Sequence, residues 1–213
     1  MRIGKTYIGA IELIISINVV VFIIEVFAMS MGRFEFILNN FALIPEFIIE
    51  KPWTIITSIF LHADAWHLFL NMFVLYFFGL YLERLVGERN FLRTYFIGGI
   101  CASAAYLITS FFFDIPPPSV PAIGASGAVF AVMGALVVLR PRLTILVNFF
   151  FPMPLWMWAM IYTFIALTDM LTTMGGVAHN AHLGGLIAGI YLGNKFKRRI
   201  SGYAHDYFTV RYY

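Results

Sequence analysis

Apolar residues fall along this chain in long blocks, broken by short polar or proline-bearing stretches. The blocks have the lengths of membrane-crossing helices. Six can be read, at about 7–29, 66–86, 91–113, 125–139, 155–171 and 180–195. A span needs roughly 20 predominantly apolar residues; the fourth and sixth blocks are shorter. Between the first two lies a mixed stretch, 30–65, in which charges alternate with Phe34, Phe36, Ile37, Phe41, Phe47, Ile48 and Ile49. That mixture predicts short amphipathic pieces lying in the membrane interface. The run 114–121 carries four prolines and predicts a stiff, non-helical connector, and Phe151-Pro-Met-Pro predicts a second break. The pattern therefore predicts an all-α, polytopic membrane protein: one domain over 1–213, six transmembrane helices, an interfacial first outer loop and a tail at 196–213.

Composition supports this picture. Hydrophobic residues make up 61% of the 213 residues and charged ones only 12%, against about 25% charged in typical soluble domains. The excess of positive charge does not indicate nucleic acid, because the basic residues flank apolar spans as orientation signals do. Twelve of the 14 Lys and Arg, from Arg2 and Lys5 through Arg140 and Arg142 to Arg211, fall on one side of a six-span topology; only Arg33 and Lys51 fall on the other. The positive-inside rule then puts both termini in the cytoplasm and 30–65 outside, as expected in a prokaryotic cell membrane. The first apolar run is longer than a signal-peptide core and ends at no small-residue cleavage site, so it reads as a span. Cys101 is the single cysteine, so no intramolecular disulfide forms. The cluster Lys195–Arg199 reads as an anchor against anionic lipid.

Three polar phrases interrupt the apolar blocks: His67-Leu-Phe-Leu-Asn71, Gly124-Ala-Ser126-Gly127 and Ala181-His182-Leu-Gly-Gly185. An unpartnered polar group in hydrocarbon costs roughly 2–7 kcal/mol, and ionisable residues within spans are functional candidates by default. The second, fourth and sixth spans all run inward from outside. His67, Asn71, Ser126 and His182 sit near the starts of those spans, so they share one depth on the outer side. The fourth span, 125–139, is only about 22 Å long at 1.5 Å per residue. With its basic end at the inner interface, Ser126 lies below the outer one, reached by a water-filled cavity.

A serine beside a histidine suggests nucleophilic catalysis. Ser126 opens a helix, where free N–H groups and the positive end of the helix dipole suit an oxyanion. A serine hydroxyl needs a base, and His182 is the best placed. Gly127, Ala131 and Ala135 on one helix, and Ala181, Gly185, Gly189 and Gly193 on the other, form small-residue stripes that permit close packing. His67 and Asn71, four apart, share a helix face and can both donate hydrogen bonds. No carboxylate adjoins His182; Asp169 is the nearest in the outer half, with nothing to tie it to the histidine, so a Ser–His dyad is expected. His179 is expected to cap the sixth helix or face outer water, and His205 to have no role. Glu12 and Glu25, in the first span, are expected to snorkel.

These three motifs, in this order and on these spans, make the chain resemble the rhomboid intramembrane serine proteases of the minimal six-helix kind. The resemblance covers about 7–195. It implies Ser126 as nucleophile, His182 as general base, and His67, Asn71 and the Ser126 N–H as the oxyanion hole. It implies Gly124, Gly127 and Gly185 as supporting glycines and Phe130 as the ring packed on His182. Many members have tyrosine there, so only packing remains at 130. His62 matches a further histidine of the family, holding water. The Trp–Arg pair common in the first outer loop is absent. The fifth helix and the stretch 172–178 would act as gate and lid, with Gly175-Gly176 as hinge. The implied partners are the lipid bilayer and transmembrane protein substrates, single-span proteins cut near the outer side after a small residue. No cofactor, metal or nucleic acid is implied. Two alternatives stand beside this reading. One is a non-catalytic rhomboid-like binder of membrane segments; the other is a metal or haem protein using His62, His67, His179 and His182.

Overall fold

The computed structural model describes residues 2–3, 6–7, 9–147, 150–172 and 178–209, with side chains over 9–147, 150–170 and 178–198. A small antiparallel hairpin, β1 (Arg2–Ile3) and β2 (Thr6–Tyr7), precedes helix α1 (Ala10–Ser30). The outer segment forms α2 (Phe34–Phe41), a 3-10 turn at Pro45–Phe47, α3 (Thr54–Thr57) and a second 3-10 turn at Ser58–Phe60. Helices α4 (Ala65–Val86), α5 (Glu88–Phe113) and α6 (Ser126–Leu139) follow. A hairpin of β3 (Thr144–Val147) and β4 (Phe151–Pro154) leads to α7 (Leu155–Thr172) and α8 (His179–Thr209).

The architecture is a helical membrane bundle. By length and composition α1, α4 and α5 can each cross a membrane, and α6 and α7 are shorter apolar helices. α1 presents rows of exposed apolar side chains, among them Val20, Ile23 and Phe27, which suit lipid. α6 is apolar all round and therefore buried: Val132, Ala135 and Leu136 are fully enclosed. It is packed between α5 and α8, with α4 and α7 also against it.

The close fit of α6 and α8 follows from the small-residue stripes. A Cβ added at Gly185 would sit 2.0 Å from the Gly127 carbonyl oxygen, and one at Gly189 2.0 Å from that of Ala131. On the other side a Cβ at Gly127 would meet the Ala102 Cβ at 2.4 Å. Only glycine lets these backbones approach so closely.

Three features differ from the sequence expectation. The tail expected at 196–213 is helical as far as Thr209, as a continuation of α8; charge ends an apolar block but not a helix, whose hydrogen bonds are local. The break at Phe151-Pro-Met-Pro is strand β4, paired Ile145↔Met153 and Leu146↔Pro152. Proline is tolerated there because a two-stranded hairpin leaves one side of each strand unpaired. Glu25 does not snorkel: it is 2% exposed, and its carboxylate accepts the His62 backbone N–H at 3.2–3.3 Å. That bond ties α1 to the segment entering α4. The expected Gly175-Gly176 hinge and lid, and the His205 side chain, lie outside the described residues.

Candidate active site

The segment ahead of Ser126 is irregular, and the outer loop satisfies its backbone. Leu43 and Ala122 exchange N–H···O bonds at 3.0 and 2.8 Å, and the Gly124 N–H donates to the Ser58 carbonyl at 2.9 Å. Tyr106 on α5 donates its hydroxyl to the Val120 carbonyl at 3.0 Å. Non-helical backbone within a membrane protein requires such partners. Gly124 has φ +122°, and a Cβ there would lie 2.8 Å from the His67 ring. Both the conformation and the close approach demand glycine.

α6 then begins at Ser126, with the N–H groups of its first turn unbonded within the helix. The Ser126 Oγ lies 2.6 Å from Nε2 of His182, which the second turn of α8 carries across the small-residue seam. Phe130, one turn after the serine, stacks on the His182 ring with centroids 4.4 Å apart and planes 11° from parallel. The hydroxyl absent from position 130 has a counterpart on another helix. Tyr162 of α7 places its OH 2.7 Å from His182 Nδ1, while its ring packs on Phe130 and stacks on Trp158. No reading of spacing singled out Tyr162; it is one of several aromatic residues in an apolar block, and only helix packing selects it.

His67 and Asn71 face the serine from α4. Asp64 caps that helix, its carboxylate accepting the His67 N–H at 2.8 Å, a strong N-cap arrangement. The signal for this cap in the sequence is an acidic residue just ahead of an apolar run. Nδ1 of His67 accepts the Ala63 N–H at 3.4 Å, which leaves its Nε2 as the N–H donor on the side of Gly124 and Ser126. Asn71 is buried and donates one amide hydrogen to the His67 carbonyl at 2.9 Å, so one remains for the cavity it lines. His62 does not reach the serine. Its ring meets His67 edge to face at 5.1 Å, and its Nδ1 lies 3.3 Å from the Phe60 carbonyl. Burial, and then the neighbouring His67, hold the His62 imidazole down at about 4, so it is neutral at pH 7 and donates from Nδ1. His179 does not simply face outer water: it is tucked against α7, 3.1 Å from the Tyr162 OH.

Ser126, His182, His67 and Asn71 all open on a cavity of about 1290 Å³. It runs from Phe34 and Leu38 in the outer loop, between α4 and α7, to Leu146 and Val147 of the β3–β4 hairpin. Its middle is apolar, with Phe73, Phe77, Met133 and Trp158. Behind the serine is a second, small cavity of about 40 Å³, walled by Gly99, Ala102, Gly127, Ala128 and Ala181. Among the described residues no three His, Cys, Asp or Glu side chains are grouped as metal ligands, so the metal alternative gains no support.

The rhomboid domain matches residues 50–199, most of the chain, with Ser126, His182, His67 and Asn71 inside the match. The chain belongs to the rhomboid family. Among its relatives, RHOMBOID-like protein 12, mitochondrial, of Arabidopsis thaliana is 34% identical over 166 residues, covering 71% of this chain and 48% of the relative. Rhomboid-like protease 3 of Toxoplasma gondii is 27% identical over 173 residues, covering 79% and 60%. Inactive RHOMBOID-like protein 8 of Arabidopsis thaliana is 32% identical over 87 residues, covering 41% and 23%. The chain thus spans about half the length of the first of these rhomboid relatives. The family includes proteins named as proteases and one named inactive. The mitochondrial relative gives no support to the expected prokaryotic membrane.

Proposed function

We propose that this rhomboid is an intramembrane serine endopeptidase that cleaves transmembrane segments of single-span membrane proteins near the outer side of the bilayer. The single observation that carries the reading is the 2.6 Å approach of Ser126 Oγ to His182 Nε2 at the head of a cavity set among apolar helices. In acylation, His182 Nε2 takes the Ser126 proton as Oγ bonds to the scissile carbonyl carbon. Negative charge moves to the carbonyl oxygen, where the Ser126 N–H, His67 Nε2–H and the remaining Asn71 amide hydrogen receive it. The imidazolium then protonates the leaving amine as the C–N bond breaks. A water, deprotonated by His182, then bonds to the acyl carbon; the ester bond to Oγ breaks, the imidazolium returns its proton to Ser126 Oγ, and the acyl chain leaves as the carboxylic acid. One oxyanion donor is worth about 2.7–4 kcal/mol of barrier. Gly124, Gly127 and Gly185 permit the approach of the three helices, Phe130 holds the His182 plane, and His62 supports His67 and offers its Nε2 lone pair to water.

The apolar cavity between α4 and α7 suits a substrate helix arriving from lipid, and the small cavity behind Ser126 suits a small side chain beside the scissile bond. The site opens outward, with both termini in the cytoplasm. A serine-directed fluorophosphonate tests the chemistry. The folded protein is expected to label, and Ser126→Ala and His182→Ala each to abolish labelling. An unlabelled wild type of native thermal stability would instead favour the non-catalytic reading that the inactive relative represents.

A further inference from the structure

His182 is not the end of the hydrogen-bonded line that begins at Ser126. From His182 Nδ1 the line passes to the Tyr162 hydroxyl at 2.7 Å, from there to His179 Nδ1 at 3.1 Å, and from His179 Nε2 to the Asp169 carboxylate at 2.9 Å. Two of these residues stand on α7 and two on α8. The line leads from the buried serine to an aspartate whose side chain is 40% exposed.

The chemistry of its outer end sets the direction of every bond. A carboxylate oxygen can only accept, so His179 donates from Nε2. In the form of His179 that carries a single N–H, Nδ1 is the acceptor, and its partner is the Tyr162 O–H. The tyrosine oxygen, having donated its hydrogen, accepts from His182 Nδ1–H. That leaves the lone pair of His182 on Nε2, turned to Ser126. This is the tautomer a general base needs; an N–H at Nε2 could not take the serine proton. In the hydrolases with an aspartate directly on the base, the carboxylate does this at one step. Here the same instruction travels through a phenol and a second imidazole.

We propose that Tyr162, His179 and Asp169 are positioning residues that hold His182 in the Nδ1–H tautomer, so that the site is a Ser–His pair governed by a carboxylate three hydrogen bonds away. The inference rests on the proposed serine-hydrolase reading and adds to it. When His182 takes the serine proton, both its nitrogens carry hydrogen, and the Tyr162 oxygen remains as acceptor for the Nδ1–H. No proton need move beyond His182.

The test uses the full chain in detergent, with Tyr162→Phe, Asp169→Asn and the double variant. Tyr162→Phe removes one oxygen and keeps the ring against Phe130 and Trp158; Asp169→Asn keeps shape and removes charge. Turnover of a fluorogenic transmembrane peptide is expected to lose about 10²-fold in kcat on Tyr162→Phe, with KM within about twofold, the low end of what a well-held general base contributes. Asp169→Asn is expected to lose about tenfold, and the double variant no more than Tyr162→Phe alone, because a line already cut cannot be cut again. With 15N-labelled histidine, only five residues report, and the His182 signal is expected to move from Nδ1–H toward Nε2–H in all three variants. Multiplying losses in the double variant, wild-type kcat in Tyr162→Phe, or an unchanged His182 tautomer would each overturn the proposal. A wild type that fails to label with fluorophosphonate, yet shifts tautomer on Tyr162→Phe, would sink the hydrolase reading and leave the line of bonds standing.

Discussion

At the scale of single residues, some buried polar groups of this rhomboid are held by partners far along the chain. Buried Glu25 on α1 accepts the His62 N–H 37 residues along the chain, a partnership that no local pattern connects. His62 shows what such burial costs. Its imidazole is 1% exposed, and in the folded protein its pKa is lowered from 6.5 to about 4. An unfolded chain therefore binds a proton at His62 between those values while the folded one does not. The unfolded state gains as pH falls, so stability is lost across the window from about 6.5 down to about 4. The loss is on the order of 3 kcal/mol from this residue. Thermal unfolding in detergent is expected to show the midpoint falling over that range in wild type, and falling distinctly less in His62→Gln. Equal slopes in the two proteins would show that His62 is not the group being titrated. The sequence places His62 near the site but not its burial, because its contacts with Glu25 on α1 and with the His67 ring form only in the fold.

At the scale of elements, apolar blocks and small-residue stripes were legible, and partnerships between helices were legible only where glycines announced them. Gly127, Ala131 and Ala135 facing Gly185, Gly189 and Gly193 announce the α6–α8 seam; nothing comparable announces α7 against α8. Hence Ser126 and His182 could be read from the chain, whereas Tyr162 and the link from Asp169 to His179 could not. The β3–β4 hairpin was illegible for another reason, since two prolines in four residues read as a break. The seam carries a direct prediction. Gly189 is one turn past Gly185 and faces the Ala131 carbonyl at a distance no Cβ can occupy. Gly189→Val must push α8 away from α6, and His182 rides on α8. Fluorophosphonate labelling is expected to fall at least about tenfold, with a loss of stability of about 1–3 kcal/mol from overpacking. Gly32→Val, where nothing lies within 4 Å but φ is +66°, separates the two causes: it strains backbone in the outer turn and should lower the unfolding midpoint without moving labelling. Equal loss of labelling in both would show that general destabilisation, not the seam, is responsible.

At the scale of the whole molecule, everything rests on which way the bundle faces. α6 has 14 residues and so is about 21 Å long, less than the roughly 30 Å of hydrocarbon. Its C-terminal end meets exposed Arg140 and Arg142, while the segment ahead of Ser126 is covered by the loop that holds exposed Glu50. If the basic end sits at the inner surface, the missing length falls at the outer side, and the serine is sunk beneath it in the cavity that the outer loop borders. Reverse the molecule and the same cavity would open toward the cytoplasm, with 12 of the 14 basic residues outside, against the charge bias that sets membrane orientation. Cysteine labelling decides between the two. Cys101 lies within α5, half-buried, and Cys101→Ala makes a background for single cysteines. In intact expressing cells, Glu50→Cys is expected to react with a membrane-impermeant maleimide, and Arg142→Cys to react only after the membrane is opened. Because the two positions lie at opposite ends of the shortest helix path through the site, the reverse result would turn the active site inward. The proposed substrate helix would then have to unwind on its cytoplasmic side.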